Sequence, residues 1–541
     1  MKFFFSDSDK KWQVLKNNKG FFYYKGYFNN KPLEEILLNL DDILKQPDEK
    51  KIKIFLKNLD GHYAFVYKTK SYTLAAVDKV KSIPLFFSTK DNYLSNNANF
   101  LISNEKIVNH NIDALRAIAM SGFSIGNATL IQNLNIFQPG QYLLNTHSKT
   151  IINYYYTFKP WKISELGEKK LKKELLELLE ETFIELVRNS YSRQIVVPLS
   201  AGYDSRVVAS LLKHIGVKDV YCYSYGLRNS FEVKASRQIA KKLNYKWKFI
   251  DFKKCKQVNF FQSEIYKKYF SAVESYSAIP YFQDFNAVKF LVENKEISKD
   301  AIFVNGNSGD FISGGHIPGS IFKPNLDLDR KYHNSMDDFL KKHFSLWGVL
   351  RNKTNDENIK ALLYSELFQR GIRISPENKL YIFELFEFLG RQSKFVISGQ
   401  RTYEMFGYDW RLPLWGSRML NFWEKIDFKH KKNQNLYVSS LIDKNWGNVW
   451  KDIPLNKINY NSKKIFMLRK GLKLATYPLG KDLWETIDSN IFKFFMDPIG
   501  NSKIIPYQKV LFDMRGQKNW ASWWSEEYIK KHMSCDINNI K

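Results

Sequence analysis

The chain has 541 residues and a formal net charge of +28 at pH 7, enough for two to four domains with large cores. Its 42 Phe, 31 Tyr and 13 Trp exclude a disordered or low-complexity protein, and three separated cysteines with no CxxC pair exclude a disulfide framework and structural zinc. The excess charge is mostly lysine spread along the whole chain, which reads as general basicity rather than a nucleic-acid surface; no apolar run reaches membrane-spanning length, so a soluble, cytoplasmic protein is expected.

Residues 1–155 predict a strand-rich unit, with short β-prone runs at 21–28, 51–56, 62–68, 72–77 and 84–89 separated by Gly, Asp, Asn and Lys turns. In the linking region, Leu171, Leu175, Leu178, Leu179, Phe183 and Leu186 recur at helical spacing and predict an amphipathic helix that packs on a core.

From residue 194 the pattern changes. Ile195, Val196, Val197 and Leu199 form a buried-strand run, followed by Ser200-Ala201-Gly202-Tyr203-Asp204-Ser205 and then a helical apolar face of Val207, Val208, Leu211, Leu212 and Ile215. A strand feeding a helix through such a turn points backbone N–H groups and the positive helix end at one place, which suits a phosphate. It is not a Walker A loop, because no Gly-Lys-Ser/Thr follows. Strands at 220–224 and 247–252 alternate with a helix at 232–243, which implies a parallel sheet with ligands at the carboxyl ends of its strands. Residues 302–315 repeat the strand-then-glycine-rich-loop pattern through Asn305-Gly306-Asn307-Ser308-Gly309-Asp310. The tail, 430–541, is rich in Lys and Trp, and its aromatic residues are expected in a core.

These stretches together resemble the asparagine synthetase family. Ser200 to Ser205 resembles its pyrophosphate loop, Ser-Gly-Gly-x-Asp-Ser, with Ala201 for the first glycine. Residues 302–315 resemble its second nucleotide segment, and Arg411, Pro413 and Leu414, with Asp409 and Gly416 nearby, resemble its third landmark. Leu59 to Phe65, Ala75 to Asp78, Ser82 to Phe87, Gly126 to Leu130 and Pro139 to Tyr142 resemble its glutaminase domain. The resemblance implies an N-terminal α+β, Ntn-hydrolase-like β-sandwich domain (1–155) and an α/β synthetase domain (156–541) with a doubly wound parallel sheet of the adenine nucleotide α-hydrolase type.

It further implies an ATP-dependent ligase that activates a small-molecule carboxylate as acyl-adenylate for attack by ammonia or an amine. Leu199, Ser200, Ala201, Gly202, Tyr203, Asp204, Ser205, Tyr225 and Gly306 would bind ATP, Asp204 and Asp310 would hold Mg²⁺, and Asp204, Asp310 and Asn307 would be the catalytic positions. Two departures stand out. Lys2 replaces the glutaminase cysteine, and no cysteine precedes Cys222, so this domain is expected to be an inactive scaffold. Asn307 replaces the acid that helps deprotonate the amine, leaving Glu274 and Asp284 as candidates; a phosphate-binding lysine among Lys463, Lys464 and Lys470 is not singled out. The nitrogen source stays open between free ammonia, a separate glutaminase and an amine in the same substrate, as in lactam or macrolactam closure. A homodimer is allowed. The reading from another class is a polyanion- or tRNA-binding protein with the same loop and no amidation activity.

Overall fold

The computed structural model describes residues 1–541 apart from 8, 104–108, 229, 253–259, 323–334, 455–462, 481–482, 485–486, 497–503, 517–518, 534–536, 538–539 and 541. The first part of the chain forms two sheets. Six antiparallel strands lie in the order Thr150–Tyr154, Gln141–Asn145, Thr73–Val77, Gly61–Thr69, Gly20–Phe28 and Gln13–Lys16. Four short strands, Lys2–Phe4, Tyr93–Ser95, Phe86–Ser88 and Asn135–Ile136, make the second sheet. Phe3 of the smaller sheet meets Tyr23 of the larger one at 4.8 Å between ring centroids.

One expected strand is a helix. Residues 51–56, KIKIFL, lie inside the helix Glu49–Asn58. Asp48 caps it by accepting from the Lys50 N–H at 2.8 Å, and Ile52, Phe55 and Leu56, at helical spacing, are its buried residues. The β-prone alternation of Ile and Lys loses to a cap and a core contact.

The amphipathic helix runs Glu168–Arg188 and buries Leu171, Leu175, Leu179, Phe183 and Leu186. Beyond it, five parallel strands lie side by side in the order Lys246–Asp251, Val220–Gly226, Ile195–Pro198, Ile302–Val304 and Asp409–Arg411. Neighbouring residues on the inner strands (Ile195, Val196 and Val197; Ile302, Phe303 and Val304) are all buried. Successive side chains point to opposite faces, so both faces of the sheet are covered, as parallel sheets require. The sequence starts at the middle strand, builds outward on one side, then crosses to the other. That reversal falls between Ile195–Pro198 and Ile302–Val304, and it opens a crevice beyond their carboxyl ends.

In the tail, Trp446, Trp450, Trp523 and Trp524 are buried, as a core role requires. Among the described residues no helix is long and apolar enough to cross a membrane.

Candidate functional site

The crevice is a cavity of about 590 Å³, within the range of small-molecule sites. Both glycine-bearing bends line it. After Ile195–Pro198 the chain turns through Ser200 to Gly202 and enters the helix Tyr203–His214, whose first turn has no side-chain cap. The Ser205 hydroxyl accepts from the Ser200 N–H at 2.9 Å and lies 2.8 Å from the Ser200 hydroxyl, while the Gly202 N–H donates to Ser200 Oγ at 3.1 Å. These bonds preset the loop. Arg206 clamps it from behind, donating to the Ala201 carbonyl at 3.0 Å and to the carbonyls of Val449, Ile453 and Pro454.

The two bends touch through their glycines. A Cβ on Gly306 would lie 2.7 Å from the carbonyl carbon and the Cβ of Asp204. One on Gly309 would lie 2.7 Å from Asp204 Cγ and Oδ1 and from Leu414 Cδ1. No side chain fits at either place, so glycine here permits a close approach of backbone to a carboxylate. The contact is closed by the Asp310 N–H, which donates to Asp204 Oδ2 at 2.7 Å, and by the Tyr437 hydroxyl, which donates to Asp204 Oδ1 at 3.1 Å. Between the glycines, Ser308 adopts a left-handed backbone with φ of 69°, which costs a non-glycine residue roughly 1–2 kcal/mol. Its hydroxyl donates to Gln392 Oε1 at 2.7 Å, a buried contact that holds the turn.

The two aspartates differ. Burial, and then the charge of Asp310, pushes the Asp204 carboxyl well above its ordinary range. Asp310 also pays for burial, but the His316 imidazolium and the Phe311 N–H hold it below the ordinary value. His316 Nε2 lies 2.9 Å from Asp310 Oδ2, and its other nitrogen bonds to Glu387. Burial disfavours a charged ring there, yet Glu387 and then Asp310 push His316 up to about 9. His343, behind them, contacts Glu387 at 2.9 Å and is driven by burial down to about 4. His316 and Glu387 were not expected from the sequence. They lie on segments between the glycine bend and the last strand, and no spacing connects them.

Two carboxylates in van der Waals reach of one open cavity suit a hard dication that takes few protein oxygens and completes its shell with water and phosphate. Burial, and then Asp310 beside it, raises Asp204, and a cation held by the two carboxylates would favour its charged form. The residues therefore fit Mg²⁺.

Of the residues expected to bind nucleotide, Ser200, Gly202, Tyr203, Asp204, Ser205, Tyr225 and Gly306 line the cavity. Leu199 and Ala201 lie behind it. The Leu199 N–H donates to the Tyr223 carbonyl at 2.8 Å and its own carbonyl accepts from Ser224 Oγ at 2.6 Å. The Ala201 N–H is taken by the Glu232 carboxylate at 2.7 Å. Asn307 and Asp310 line the cavity too.

Asp284 is on the wall, accepting from the hydroxyls of Tyr225, Tyr403 (2.7 Å) and Tyr223 (3.3 Å); burial raises it despite those three donors. Glu274 is elsewhere, bound by the Tyr528 hydroxyl at 2.7 Å and by His532 at 3.0 Å. Lys470 is exposed, with its ammonium 4.9 Å from the Phe466 ring, and the side chains of Lys463 and Lys464 lie outside the described set.

The third landmark also lies away from the cavity lining, apart from the support Leu414 gives Gly309. Arg411 stacks on Tyr27 at 3.9 Å, and Asp409 pairs with Lys11 at 2.7 Å and Arg193 at 2.8 Å. This segment joins the last strand to the amino-terminal sheets. Other bonds across the same junction are His62 to the Trp415 carbonyl at 2.6 Å, Lys79 to Ser417 at 2.5 Å and Arg401 to the Ser82 carbonyl at 3.1 Å. Lys394 adds three, to the Ser124 carbonyl (2.9 Å), the Ser124 hydroxyl (3.0 Å) and the Gly126 carbonyl (2.6 Å).

At the chain start, the Met1 amine donates to Asn145 Oδ1 at 2.8 Å. The cavity beside it is lined by Lys, Ser, Thr, Asn, Tyr and His residues and contains neither a thiol nor a carboxylate. Cys222, the first cysteine of the sequence, is buried in the parallel sheet.

No protein-family model matches the sequence, and no curated protein does. Among solved structures, the NH3-dependent NAD synthetase of Campylobacter jejuni is similar at 21% identity over 40% of this chain and 92% of that one, with a TM-score of 0.20. The allosteric regulatory enzyme of purine biosynthesis follows at 11% identity over 44% and 62%, with a TM-score of 0.15. The glutamine phosphoribosylpyrophosphate amidotransferase of B. subtilis is similar at 10% identity over 56% and 59%, with a TM-score of 0.13. Scores of this size establish neither a shared fold nor a shared activity, so the site rests on its own residues.

Proposed function

We propose that the chain is an ATP-dependent carbon–nitrogen ligase of the asparagine-synthetase type. It would activate a substrate carboxylate as the acyl-adenylate and pass the acyl group to ammonia or an amine. The observation that carries this reading is the interlock of the two bends, with Gly306 and Gly309 closed onto Asp204 at the mouth of the cavity.

In this reading the phosphates of ATP lie against the open first turn at Tyr203 to Ser205, where unpaired N–H groups and the helix dipole favour an anion by up to about 2 kcal/mol. Asp204 and Asp310 would hold Mg²⁺, which when bound neutralises charge on the phosphate oxygens. The substrate carboxylate attacks the α-phosphorus, the bond to the bridging oxygen breaks, and pyrophosphate leaves with the electron pair. The nitrogen nucleophile then attacks the acyl carbon, AMP departs, and one proton must be taken from the amine. Asn307 cannot accept it. Asp284, the other carboxylate on the cavity wall among the described residues, is the base in this scheme, its basicity raised by burial.

The amino-terminal sheets act here as a scaffold. They hold the last strand and the wall segment 388–403 through Lys394, Arg401 and His62, and glutamine hydrolysis has no thiol to start from. The test is pyrophosphate release from Mg-ATP scanned over aspartate, uronic acids and amino-carboxylates. Release with one class supports the reading and names the substrate; a chain that neither binds Mg-ATP nor releases pyrophosphate with any of them ends it.

A further inference from the structure

One wall of the cavity is a π-helical stretch, Phe388–Phe395, that runs on through a 3-10 turn into the helix Gln400–Met405. π-Turns are uncommon and gather at functional sites. This one presents Arg391 and Gln392 to the cavity together. Gln392 is occupied, accepting from Ser308 and donating to Glu387 at 3.2 Å. Arg391 is not. Among the described residues it has neither an ion-pair nor a hydrogen-bond partner, and its guanidinium carbon lies 5.6 Å from the Phe395 ring.

Other half-buried or buried arginines each have at least one carbonyl or carboxylate partner: Arg206 four carbonyls, Arg351 Asp356, Arg370 Glu366, Arg401 Glu404 and Arg515 Glu526, although Arg370 and Arg401 each keep two buried nitrogens unpaired. A second donor on the same wall is also unspent. Gln400 is fully buried and lines the cavity; its carbonyl accepts from Asn305 at 3.2 Å, while its amide nitrogen has no partner. A buried donor left unmade is costly, and a guanidinium fork without a partner matches a planar or tetrahedral oxyanion.

We infer that Arg391, with Gln400, forms an oxyanion subsite of this cavity, for either the terminal phosphates of the nucleotide or a second anionic group on the acyl substrate. This deepens the ligase reading and rests on it for the identity of the ligand, but the subsite itself can be tested without turnover. Among the described residues no lysine lines the cavity.

The full chain, its Arg391→Gln variant and its Arg391→Lys variant would be titrated calorimetrically with inorganic pyrophosphate plus MgCl2, with aspartate, and with glucuronate 1-phosphate. Arg391→Gln is expected to weaken binding of at least one probe by about tenfold or more, the loss expected for a charge-assisted pair. Arg391→Lys, which keeps the charge but loses the fork, should weaken it several-fold less. A loss confined to pyrophosphate assigns the subsite to the nucleotide; one confined to an acid assigns it to the acyl substrate.

Equal affinities in wild type and Arg391→Gln overturn the inference, as does a wild type that binds none of the probes. Should Arg391→Gln fail to fold, Arg391→Lys decides, and unchanged affinity there overturns it. Pyrophosphate binding that depends on Arg391 in a chain releasing none from ATP would keep the subsite and remove the ligase reading.

Discussion

The amino-terminal sheets and the parallel-sheet crevice both carry family-like runs, yet the runs are placed differently with respect to open space. In the first, the matching stretches 59–65 and 75–78 lie in or beside central strands whose side chains fill a core; Tyr63, Phe65, Ala75 and Val77 are buried. In the second, the matching stretches are the turns after two strands, and they face a cavity with Asp204, Asp284, Asp310, His316 and Arg391 on its wall. Strand patterns persist because packing needs them. A reaction needs particular side chains in an open space, whereas the matching strand residues of the first region are taken up by packing.

The largest contrast should come from the glycine interlock. Gly309→Val would drive a side chain into Asp204 and Leu414, costing about 1–3 kcal/mol of stability, and is expected to abolish nucleotide-dependent pyrophosphate release; melting curves and a pyrophosphate assay check both. Asp310→Ala should also reduce Mg²⁺-dependent release by about a hundredfold or more, by removing a positioned charge, while leaving the fold intact. Near-normal turnover in Asp310→Ala would take away its metal role. In the amino-terminal region the expected result is the opposite: glutamine will not replace ammonium in the purified chain, whichever residue stands at position 2 other than cysteine. Ammonia released from glutamine by this chain would contradict the scaffold reading.

A smaller effect links the two regions. Lys394→Met removes three donated hydrogen bonds to Ser124 and Gly126 and should cost about 1–3 kcal/mol, read by denaturant unfolding. Burial lowers the Lys394 ammonium to about 7, against an ordinary 10.5. Between those values the unfolded chain holds a proton that the native chain has released, so this group makes stability rise with pH across the window and gives nothing of that gain below about 7. Wild type minus Lys394→Met should show that rise; a flat difference would mean the lysine stays charged in the fold. The smallest effect belongs to the junction's rim. Lys11 and Asp409 are each about a third exposed, so Lys11→Ala should change stability by no more than about 1 kcal/mol and leave turnover unaltered.

The parts of the site that sequence makes legible are those built by local pattern. The strand before Ser200, the helix after Gly202 and the glycine spacing at 306 and 309 are written in adjacent residues, and so is the amphipathic helix 168–188. The rest is assembled by distant chain. His316 bonds to Glu387, Tyr437 reaches Asp204, and Arg391 and Gln400 arrive on a wall far along the sequence from either bend. No periodicity or spacing announces such partners, because His316, Glu387, Arg391 and Gln400 are set by where the segment between the last two strands folds back, and Tyr437 by the helix Asn435–Lys444 beyond them. The third landmark shows a different limit. Arg411 and Asp409 look like site residues by type, and they serve instead to fasten the edge strand to the amino-terminal sheets. Residues 51–56 show the same limit at the level of a single element, where a cap at Asp48 and a buried face outweigh an alternating pattern.

The central claim is that both bends grip one triphosphate. Crystals grown with magnesium and a non-hydrolysable ATP analogue test it directly. The phosphates should lie against the backbone of Tyr203 to Ser205, with a metal ion between Asp204 and Asp310. Nucleotide bound elsewhere with that first turn empty, or density showing the two aspartates on separate ligands, would contradict it.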